Sequence, residues 1–508
     1  MRASLIALVA LVGVLALAEL AAAAPAERGP TCVELAGLAP SEVQLLSVAA
    51  VSEPASWKAA GAAVAVRSTQ PFCRIVGRIE AEIGFELWLP PAAAWNGKFL
   101  SAGVGGEAGT YNYRDMVRGL KRGYATASTD AGHSLQDRDW AFRRPDRQAN
   151  FGARANHLLA LKAKELLASY YGAAPGKSYF VGCSGGGREG LKEVQAYPSD
   201  YDGVLAGGAG PDQFAASARL FWSQYTMESR YRGLLDDADW KLIADAGVAA
   251  CDHRDGVADG VVEQPAACGF ELKTLQCTGE KTPACLSARQ IEVASALYAP
   301  LQDEVGTAID SGVLPGVRMK FEPKSAFALT LFGKIAHDDR DWDPAQFAVA
   351  RDIALARQAW PDLANDNLDI AAFKARGGKL IHYHGWLDPW ILAQAPIKYF
   401  ERVGQTLGET ESFYRLFMVP GMGHCAGGPG TDRFGGAGED APLVDPDHDA
   451  LAALEAWAER GRAPARIIAS KIEDGALVRT RPLCPYPSHA AYKGTGSTDD
   501  AANFKCKE

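Results

Sequence analysis

The sequence feature that most constrains the fold is an apolar strand pattern that ends in a glycine-flanked serine. Tyr179–Val181 is followed by Gly182-Cys183-Ser184-Gly185-Gly186, and residues 191–196 can begin a helix. A serine within Gly-x-Ser-x-Gly, between a strand and a helix, is typical of a nucleophile elbow, in which a tight turn holds the hydroxyl exposed at the end of the strand. The alternative is a glycine-rich turn whose serine only caps the helix. The pentapeptide alone leaves both interpretations open.

Two residues far downstream favour the catalytic interpretation. Asp388 follows an apolar strand pattern that begins at Gly378, and His424 follows another that begins at Phe413. Together with Ser184 they occur in the order serine, acid, histidine, which is the order found in α/β-hydrolases. The sequence therefore predicts an α/β fold of the α/β-hydrolase class, with Ser184, Asp388 and His424 as catalytic residues.

A glycine-rich loop, Gly103–Gly109, is the candidate for one half of an oxyanion hole. It follows the strand pattern Lys98–Ala102. In an α/β-hydrolase, the turn after the third core strand donates one backbone N–H to the substrate oxygen. Gly105 or Gly106 is the candidate donor in this turn, and Gly185, directly after the serine, is the candidate for the second donor. The alternative for the loop is an ordinary flexible connection.

The length of 508 residues predicts one large domain with an insertion, or two domains. Strand and helix patterns alternate as far as residue 212, which indicates a parallel sheet covered by helices on both faces. From Gln213 to about Phe373 the chain is rich in aromatic residues and aspartate and is helical only in patches. We therefore expect a catalytic domain of residues 25–212 and 374–508, with residues 213–373 inserted as a large lid domain.

Residues 1–24 have the pattern of a secretory signal peptide. Arg2 is followed by an apolar run and then by small residues that resemble a cleavage site. The alternative is an uncleaved N-terminal anchor. No other stretch is long and apolar enough to span a membrane, so we expect a secreted or periplasmic protein without stable membrane association after cleavage. No asparagine begins an Asn-x-Ser/Thr sequon, which favours a bacterial source.

Ten cysteines fit an oxidising compartment. Their number is even and no Cys-x-x-Cys pair occurs, which favours disulfides over a zinc or thioredoxin-type site. Cys183 precedes the candidate nucleophile and Cys425 follows the candidate base, so a disulfide between them would tie the two loops together. The alternative, that Cys183 is itself the nucleophile, suits this compartment poorly. The net charge of −9 argues against nucleic acid as a partner.

An acidic loop in the predicted lid has the oxygen ligands of a calcium site. Asp252, Asp255 and Asp259 lie at positions i, i+3 and i+7, and the carbonyl groups of Val257 and Val261 are available in the same loop. Three carboxylates on so short a loop repel one another unless a cation compensates their charge. We therefore expect a structural Ca²⁺ here, and the alternative is an acidic surface turn.

These residues together resemble the tannase and feruloyl esterase family, which also contains a bacterial mono(2-hydroxyethyl) terephthalate hydrolase. The resemblance covers nearly all of the mature chain and rests on the acidic loop, Asp388, Cys183-Ser184-x-Gly186-Gly187-Arg188 and His424-Cys425. It implies an α/β-hydrolase core with a calcium-bearing lid. It also implies five disulfides, which pair Cys32 with Cys73, Cys183 with Cys425, Cys251 with Cys268, Cys277 with Cys285, and Cys484 with Cys506.

The resemblance further implies the reaction and the substrate class. We expect a serine carboxylic-ester hydrolase that acts on small aromatic esters, such as feruloyl or galloyl esters, through an acyl-enzyme. Terephthalate monoesters are an alternative substrate class, and a catalytically silent hydrolase fold used for binding is an alternative function. By similarity His384 is expected to line the substrate pocket, although a buried strand-end histidine is an equal alternative. Trp390 is expected to stack on an aromatic acyl group.

Overall fold

The computed structural model describes residues 30–52, 55–58, 65–319 and 324–508 of the chain. The predicted signal peptide, residues 1–24, lies outside these residues. The strands, numbered along the chain, are β1 (Val43–Val51), β2 (Ala55–Trp57), β3 (Val66–Ser68), β4 (Phe72–Ile79), β5 (Ile83–Leu89), β6 (Lys98–Ala102), β7 (Ala125–Thr129), β8 (Lys177–Cys183), β9 (Gly203–Gly207), β10 (Lys379–Gly385), β11 (Tyr414–Val419), β12 (Ile467–Glu473), β13 (Ala476–Leu483), β14 (His489–Tyr492) and β15 (Phe504–Lys507).

Nine of these strands form one mixed sheet, in the order β1-β4-β5-β7-β6-β8-β9-β10-β11. Strands β1, β4 and β5 pair antiparallel at one end, and β5 pairs antiparallel with β7. From β7 to β11 every neighbouring pair is parallel. This topology is that of an α/β-hydrolase fold, as the sequence predicts.

Helices cover the sheet on both faces. They are α1 (Tyr113–Lys121), α2 (Pro145–Ala149), α3 (Ala155–Tyr171), α4 (Gly185–Ala196), α5 (Gln213–Phe221), α6 (Glu228–Tyr231), α7 (Asp237–Cys251), α8 (Ala288–Tyr298), α9 (Ala326–Leu329), α10 (Val349–Ala359), α11 (Ala371–Ala375), α12 (Gln394–Leu407) and α13 (Ala450–Arg460). Strands β5, β7 and β9 are therefore buried at every residue, and β9 contains no polar side chain.

The two faces of the sheet carry separate apolar clusters. On one face, Phe180 of β8 packs in a cluster with Leu166 of α3 and Leu191 of α4. On the other face, Tyr179 of β8 and Leu454 of α13 belong to a second cluster. Successive residues of a strand point to opposite faces, so neighbouring aromatic residues of β8 anchor helices on both sides of the strand that leads to Ser184.

The segment between β9 and β10 contains helices α5 to α11, and no strand is found among its described residues. Some of its apolar residues, such as Trp240 and Leu297, share a cluster with Ile397 of α12 and Met418 of β11. Others, including Phe221 and Trp360, belong to the cluster of Phe180, so the inserted segment packs against both regions of the catalytic domain. The first helix, α5, begins at the predicted lid boundary, whereas α11 continues past the predicted end at residue 373.

The C-terminal region contains strands as well as a helix. After α13 the chain forms two antiparallel hairpins, β12–β13 and β14–β15. The disulfide between Cys484 and Cys506 joins these two hairpins. Within the described residues, no helix combines the length and apolar character that crossing a bilayer requires.

Candidate active site

Four of the predicted functional segments lie at one edge of the sheet. The glycine-rich loop follows β6, Ser184 follows β8, Asp388 follows β10, and His424 follows β11. Because β6, β8, β10 and β11 run in the same direction, their carboxyl ends meet at the same edge. The parallel sheet thus brings His424 close to Ser184, which is 240 positions away in sequence, and to the glycine-rich loop, which is still more distant from it.

Ser184 occupies a strained turn between β8 and α4. Its backbone has φ +59° and ψ −122°, a conformation that is rare for a residue with a side chain. The neighbouring glycines are required sterically, since a Cβ atom on Gly182 would lie 2.5 Å from the Gly186 carbonyl oxygen, and one on Gly186 would lie 2.8 Å from Gly103. The geometry is that of a nucleophile elbow rather than of a capping turn, and Ser184 makes no side-chain cap hydrogen bond to α4.

Asp388 and His424 form a buried acid–imidazole pair. His424 Nδ1 lies 2.6 Å from Asp388 Oδ2. The other carboxylate oxygen accepts hydrogen bonds from the backbone N–H groups of Trp390, at 2.9 Å, and Ile391, at 3.0 Å. Burial raises the pKa of the Asp388 carboxyl, but the charge and the hydrogen bond of His424 outweigh burial and hold this pKa below its usual range. An ionised Asp388 accepts the Nδ1 proton, which leaves Nε2 of a neutral His424 free as a base.

Ser184 and His424 line the same cavity, which has a volume of about 380 Å³. No hydrogen bond between the Ser184 hydroxyl and the imidazole is present in the described structure. Gly208 lies beside both loops, because a Cβ atom on it would be 3.0 Å from Cys183 Sγ and 3.5 Å from His424 Cε1. Ser184 and His424 therefore line one cavity, without the hydrogen bond that proton transfer between them requires.

A disulfide joins the two loops that carry these side chains. Cys183 and Cys425 are bonded across 242 residues of sequence, with their Cα atoms 6.0 Å apart. The remaining disulfides are Cys32–Cys73, Cys251–Cys268, Cys277–Cys285 and Cys484–Cys506, which are the pairs that the family resemblance implies. Cys183 is therefore not available as a thiol nucleophile.

Gly106 and Gly185 lie side by side at the cavity wall. A Cβ atom on Gly185 would be 2.7 Å from the Gly106 carbonyl oxygen and 2.9 Å from its nitrogen. Both glycines line the cavity together with Ser184, whereas Gly105 lines a groove on the other side of the loop. Within the described structure, neither the Gly106 N–H nor the Gly185 N–H donates a hydrogen bond. Of the two candidates in the loop, the geometry favours Gly106 as the oxyanion donor.

Glu189, which the sequence analysis did not single out, holds this loop in place. It lies on α4, and its Oε2 atom accepts a hydrogen bond of 2.9 Å from the backbone N–H of Val104. The side chain is buried, and burial raises the pKa of its carboxyl to about 7 even though the charge of Arg188 opposes this shift. A long-range contact between a helix and a loop leaves no local sequence signal by which Glu189 could have been identified.

The structure contradicts the expectation that His384 lines the pocket. His384 is fully buried, and its Nε2 atom lies 2.8 Å from the Ile391 carbonyl oxygen and 3.4 Å from Asp388 Oδ2. Burial lowers the pKa of its imidazole. The imidazole packs against Asp388 and does not line the cavity, so the alternative of a buried strand-end histidine is correct.

Trp390 lines the cavity, as expected, and remains 38% exposed. Its ring centroid is 4.7 Å from that of His424. Phe151 and Phe327, which were not predicted, provide further aromatic walls, with ring centroids 5.7 Å apart. Arg188, also on the cavity wall, is held by the carbonyl oxygens of Phe151 and of the following glycine, at 2.9 and 3.0 Å. The cavity is therefore suited to a flat, largely apolar group.

The acidic loop folds back on itself through its aspartates. Asp252 accepts hydrogen bonds from the backbone N–H groups of Asp259, at 3.2 Å, and of the next residue, at 2.9 Å. Asp255 Oδ1 accepts one from Val257, at 3.0 Å, while its buried Oδ2 has no partner. Asp259 pairs with Arg481. Among the described residues, no three His, Cys, Asp or Glu side chains are gathered in a geometry that could hold a metal ion.

Comparison with known proteins identifies what the chain is similar to. Residues 64–325 and 338–507 match the family model described as tannase and feruloyl esterase. An uncharacterised esterase of Xanthomonas campestris pv. campestris is 35% identical, over 95% of this chain and 92% of the relative. A mono(2-hydroxyethyl) terephthalate hydrolase of Piscinibacter sakaiensis is 32% identical, over 91% and 89%. The crystal structure of feruloyl esterase B from Aspergillus oryzae superposes with a TM-score of 0.86 at 28% identity, over 94% and 99%.

Proposed function

Because the chain belongs to the tannase and feruloyl esterase family and is a carboxylic ester hydrolase, we propose that it cleaves esters of phenolic acids through a covalent intermediate on Ser184. The observation that carries the proposal is the convergence of the elbow serine and the Asp388–His424 pair on one cavity. The family indicates that an ester bond is cleaved. Ser184, Asp388 and His424 are the groups that we propose for this cleavage.

The proposed reaction uses His424 first as a base and then as an acid. Nε2 takes the proton of the Ser184 hydroxyl while the oxygen attacks the ester carbonyl. The imidazolium then gives this proton to the leaving alcohol, and a water molecule repeats the sequence on the acyl-enzyme. Asp388 fixes the imidazole through Nδ1 and stabilises its charged form. In this mechanism the Ser184 hydroxyl and His424 Nε2 come into hydrogen-bond contact when substrate binds.

The oxyanion of the tetrahedral intermediate is proposed to lie between Gly106 and Gly185. Their N–H groups are unpaired in the described structure and face the cavity that contains the nucleophile. Removing one such donor typically lowers kcat by a factor of about 10² to 10³. Backbone donors cannot be removed by side-chain substitution, so the residues that hold the loop become the accessible test of this assignment.

The aromatic walls of the cavity support an aromatic acyl group. Phe151 and Phe327 present ring surfaces to the acyl group, with Trp390 at the edge of the same cavity, and aromatic rings pack favourably against one another at centroid distances of about 4.5–7 Å. Feruloyl and galloyl groups fit this chemistry. Terephthalate monoesters remain the second candidate, because a hydrolase of such an ester is among the relatives that match over most of their length.

The decisive experiment compares Ser184→Ala with the wild type on methyl ferulate, methyl gallate and mono(2-hydroxyethyl) terephthalate. We expect the wild type to hydrolyse the two phenolic esters fastest and the variant to lose at least about 10³-fold in kcat. Ser169→Ala, an exposed helical serine, is the matched control and should behave as the wild type. Unchanged turnover in Ser184→Ala would contradict the mechanism. If the wild type hydrolyses the terephthalate ester fastest, terephthalate monoesters replace phenolic esters as the proposed substrates. A wild type that binds but never hydrolyses these esters would be a silent hydrolase fold.

A structural calcium ion in the acidic loop is a separate proposal. The unpartnered buried oxygen of Asp255 supports it, because an isolated carboxylate oxygen is costly to bury without a compensating group. Asp252 and the carbonyl groups of Val257 and Val261 are the further ligands that we propose. Asp259 joins them only if it leaves Arg481, which keeps a second partner in Glu263 at 3.0 Å. The ion would hold the loop and takes no part in the chemistry.

We also propose that the protein acts outside the cytoplasm. Five disulfides support this location, because such bonds persist in oxidising compartments. The predicted signal peptide would direct the export. Fractionation of the producing cells, with protein recovered only from the cytoplasm in its disulfide-bonded form, would contradict the proposal.

A further inference from the structure

A second cavity, of about 230 Å³, adjoins the active-site cavity. Gly210, Trp390 and Ile391 line both cavities and therefore form the wall that the two cavities share. Helix α5, residues 309–311 and the first turns of α12 form the other walls of the second cavity. The proposed mechanism gives this space no role.

The second cavity lies on the side of the active site from which the alcohol departs. In the proposed reaction the leaving alcohol receives its proton from His424, and therefore has to lie beside this imidazole. Trp390 packs on His424 and forms the shared wall, whereas Gly106 and Phe151 line the active-site cavity alone. An ester whose aromatic acid fills the first cavity thus directs its alcohol portion towards Trp390 and the second cavity.

The acidic side chains at the second cavity are already paired. Asp212 and Asp366 both bind Arg357, at 2.7 and 3.0 Å. Asp310 lies 3.5 Å from the guanidinium group of Arg219. Because Asp212 and Asp366 share one guanidinium group, the three carboxylates and their two arginine partners leave one net negative charge at the cavity.

Two cations at the same cavity have no such partner. Lys398 and Arg402 lie four residues apart on α12, so their side chains are neighbours on one face of the helix. Neither forms an ion pair or a side-chain hydrogen bond with any described residue. The 14-residue helix also begins at this cavity, at Gln394, without a side-chain cap, and a helix N-terminus favours negative charge. With Lys398 and Arg402 counted, the charged side chains at and beside the second cavity leave one net positive charge, which lies on α12.

We propose that the second cavity receives the alcohol portion of the ester and that Lys398 and Arg402 bind a carboxylate group carried by that alcohol. The preferred substrates are then esters of an aromatic acid with a hydroxycarboxylic acid. Hydrolysis releases the aromatic acid and the hydroxy acid, with one water consumed. The inference rests on the proposed function, which fixes His424 as the group that protonates the alcohol.

The test uses three substrates that share one acyl group. They are methyl ferulate, the ferulate ester of 4-hydroxycyclohexanecarboxylic acid, and the same ester with its free carboxylate converted to a methyl ester. We expect the wild type to prefer the free carboxylate over its methyl ester in kcat/KM by about five- to tenfold at low salt, because exposed ion pairs are individually weak. The preference should shrink as the ionic strength rises to about 0.5 M.

The variant Lys398→Gln/Arg402→Gln should lower this preference to about one and leave the turnover of methyl ferulate unchanged. Lys505→Gln/Lys507→Gln, which changes the net charge equally in a distant hairpin, is the control and should keep the wild-type preference. A preference of one in the wild type, or a preference that survives in the Lys398/Arg402 variant, overturns the inference alone. If the wild type hydrolyses none of the three esters, the proposed function fails and this inference fails with it.

Discussion

Ser184 and His424 are each adjacent in sequence to one cysteine of the same disulfide, Cys183–Cys425. The bond connects the carboxyl ends of β8 and β11, which β9 and β10 separate in the sheet. A cross-link placed at the nucleophile and the base restricts the unfolded chain and also limits how far the two loops can move apart in the folded enzyme.

Removing this disulfide should cost both stability and activity. We expect Cys183→Ala/Cys425→Ala to lose about 5 kcal/mol of unfolding free energy, because the bond closes a loop of more than 200 residues, and to lower kcat as the two loops separate. Cys277→Ala/Cys285→Ala, which opens a separation of only 8 residues, is the control and should lose less stability and no activity. Denaturant unfolding and methyl ferulate turnover measure the two effects. Equal losses in both variants would contradict the prediction.

Glu189 should act on catalysis without touching the substrate. In Glu189→Ala the Val104 N–H loses its acceptor, and we expect kcat to fall about tenfold with little change in KM, a fraction of the loss that follows removal of an oxyanion donor. Glu189→Gln keeps an acceptor oxygen and should recover most of the rate. Glu165→Gln, an exposed position on α3, is the control. If Glu189→Gln is as slow as Glu189→Ala, the hydrogen bond to the loop is not the reason.

Buried histidines should destabilise the protein in acid. Burial lowers the pKa of His133 to about 4 and that of His382 to about 3. The unfolded chain binds protons to these groups from about pH 6.5 downwards while the folded chain does not, so the unfolding free energy falls as the pH decreases from about 6.5 to about 4.

Substitution isolates one of these groups. His133→Gln should reduce the slope of unfolding free energy against pH between about pH 6.5 and 4 by the equivalent of one proton. Ser169→Ala, at an exposed position without a titratable group, should leave the slope as in the wild type. Urea unfolding at several pH values gives the slopes, and a wild-type stability that is flat across this range would contradict the prediction.

Removal of the proposed calcium ion by a chelator should lower the thermal stability of the protein. We expect about one Ca²⁺ per chain by elemental analysis, and a drop of several degrees in Tm after dialysis against a chelator, reversed by calcium but not by magnesium. Asp255→Asn should abolish both the metal content and the calcium-dependent shift. Asp447→Asn, at an exposed acid, should change neither. If the purified wild type contains no calcium and its Tm does not change when calcium is added, the proposed calcium site is contradicted.

Local patterns carried much of the fold prediction. Lys98–Ala102 begins and ends where its sequence predicts, because its short strand pattern lies between two glycines. The two C-terminal hairpins were not predicted. Residues 467–507 mix apolar, charged and proline residues, and their strands form through pairing between hairpins and through Cys484–Cys506, neither of which a local pattern contains.

Some residues of the candidate site could be identified from the sequence and others could not. Ser184, Asp388 and His424 could be identified because a nucleophile elbow has a local motif and because chain order limits its partners. His384 and Glu189 depend on which side of an element faces inward and on contacts across the fold. The first was wrongly expected in the pocket, and the second was missed, although both lie within five residues of a predicted catalytic residue.

The inserted helical segment shares one apolar cluster with α12 and β11. A chimera that carries the lid of a relative on this catalytic domain would therefore leave mismatched surfaces under the graft, at Ile397 and Met418. Engineers who wish to change the substrate by lid exchange will need to transplant the underlying face of α12 as well, including the two cations that face the second cavity.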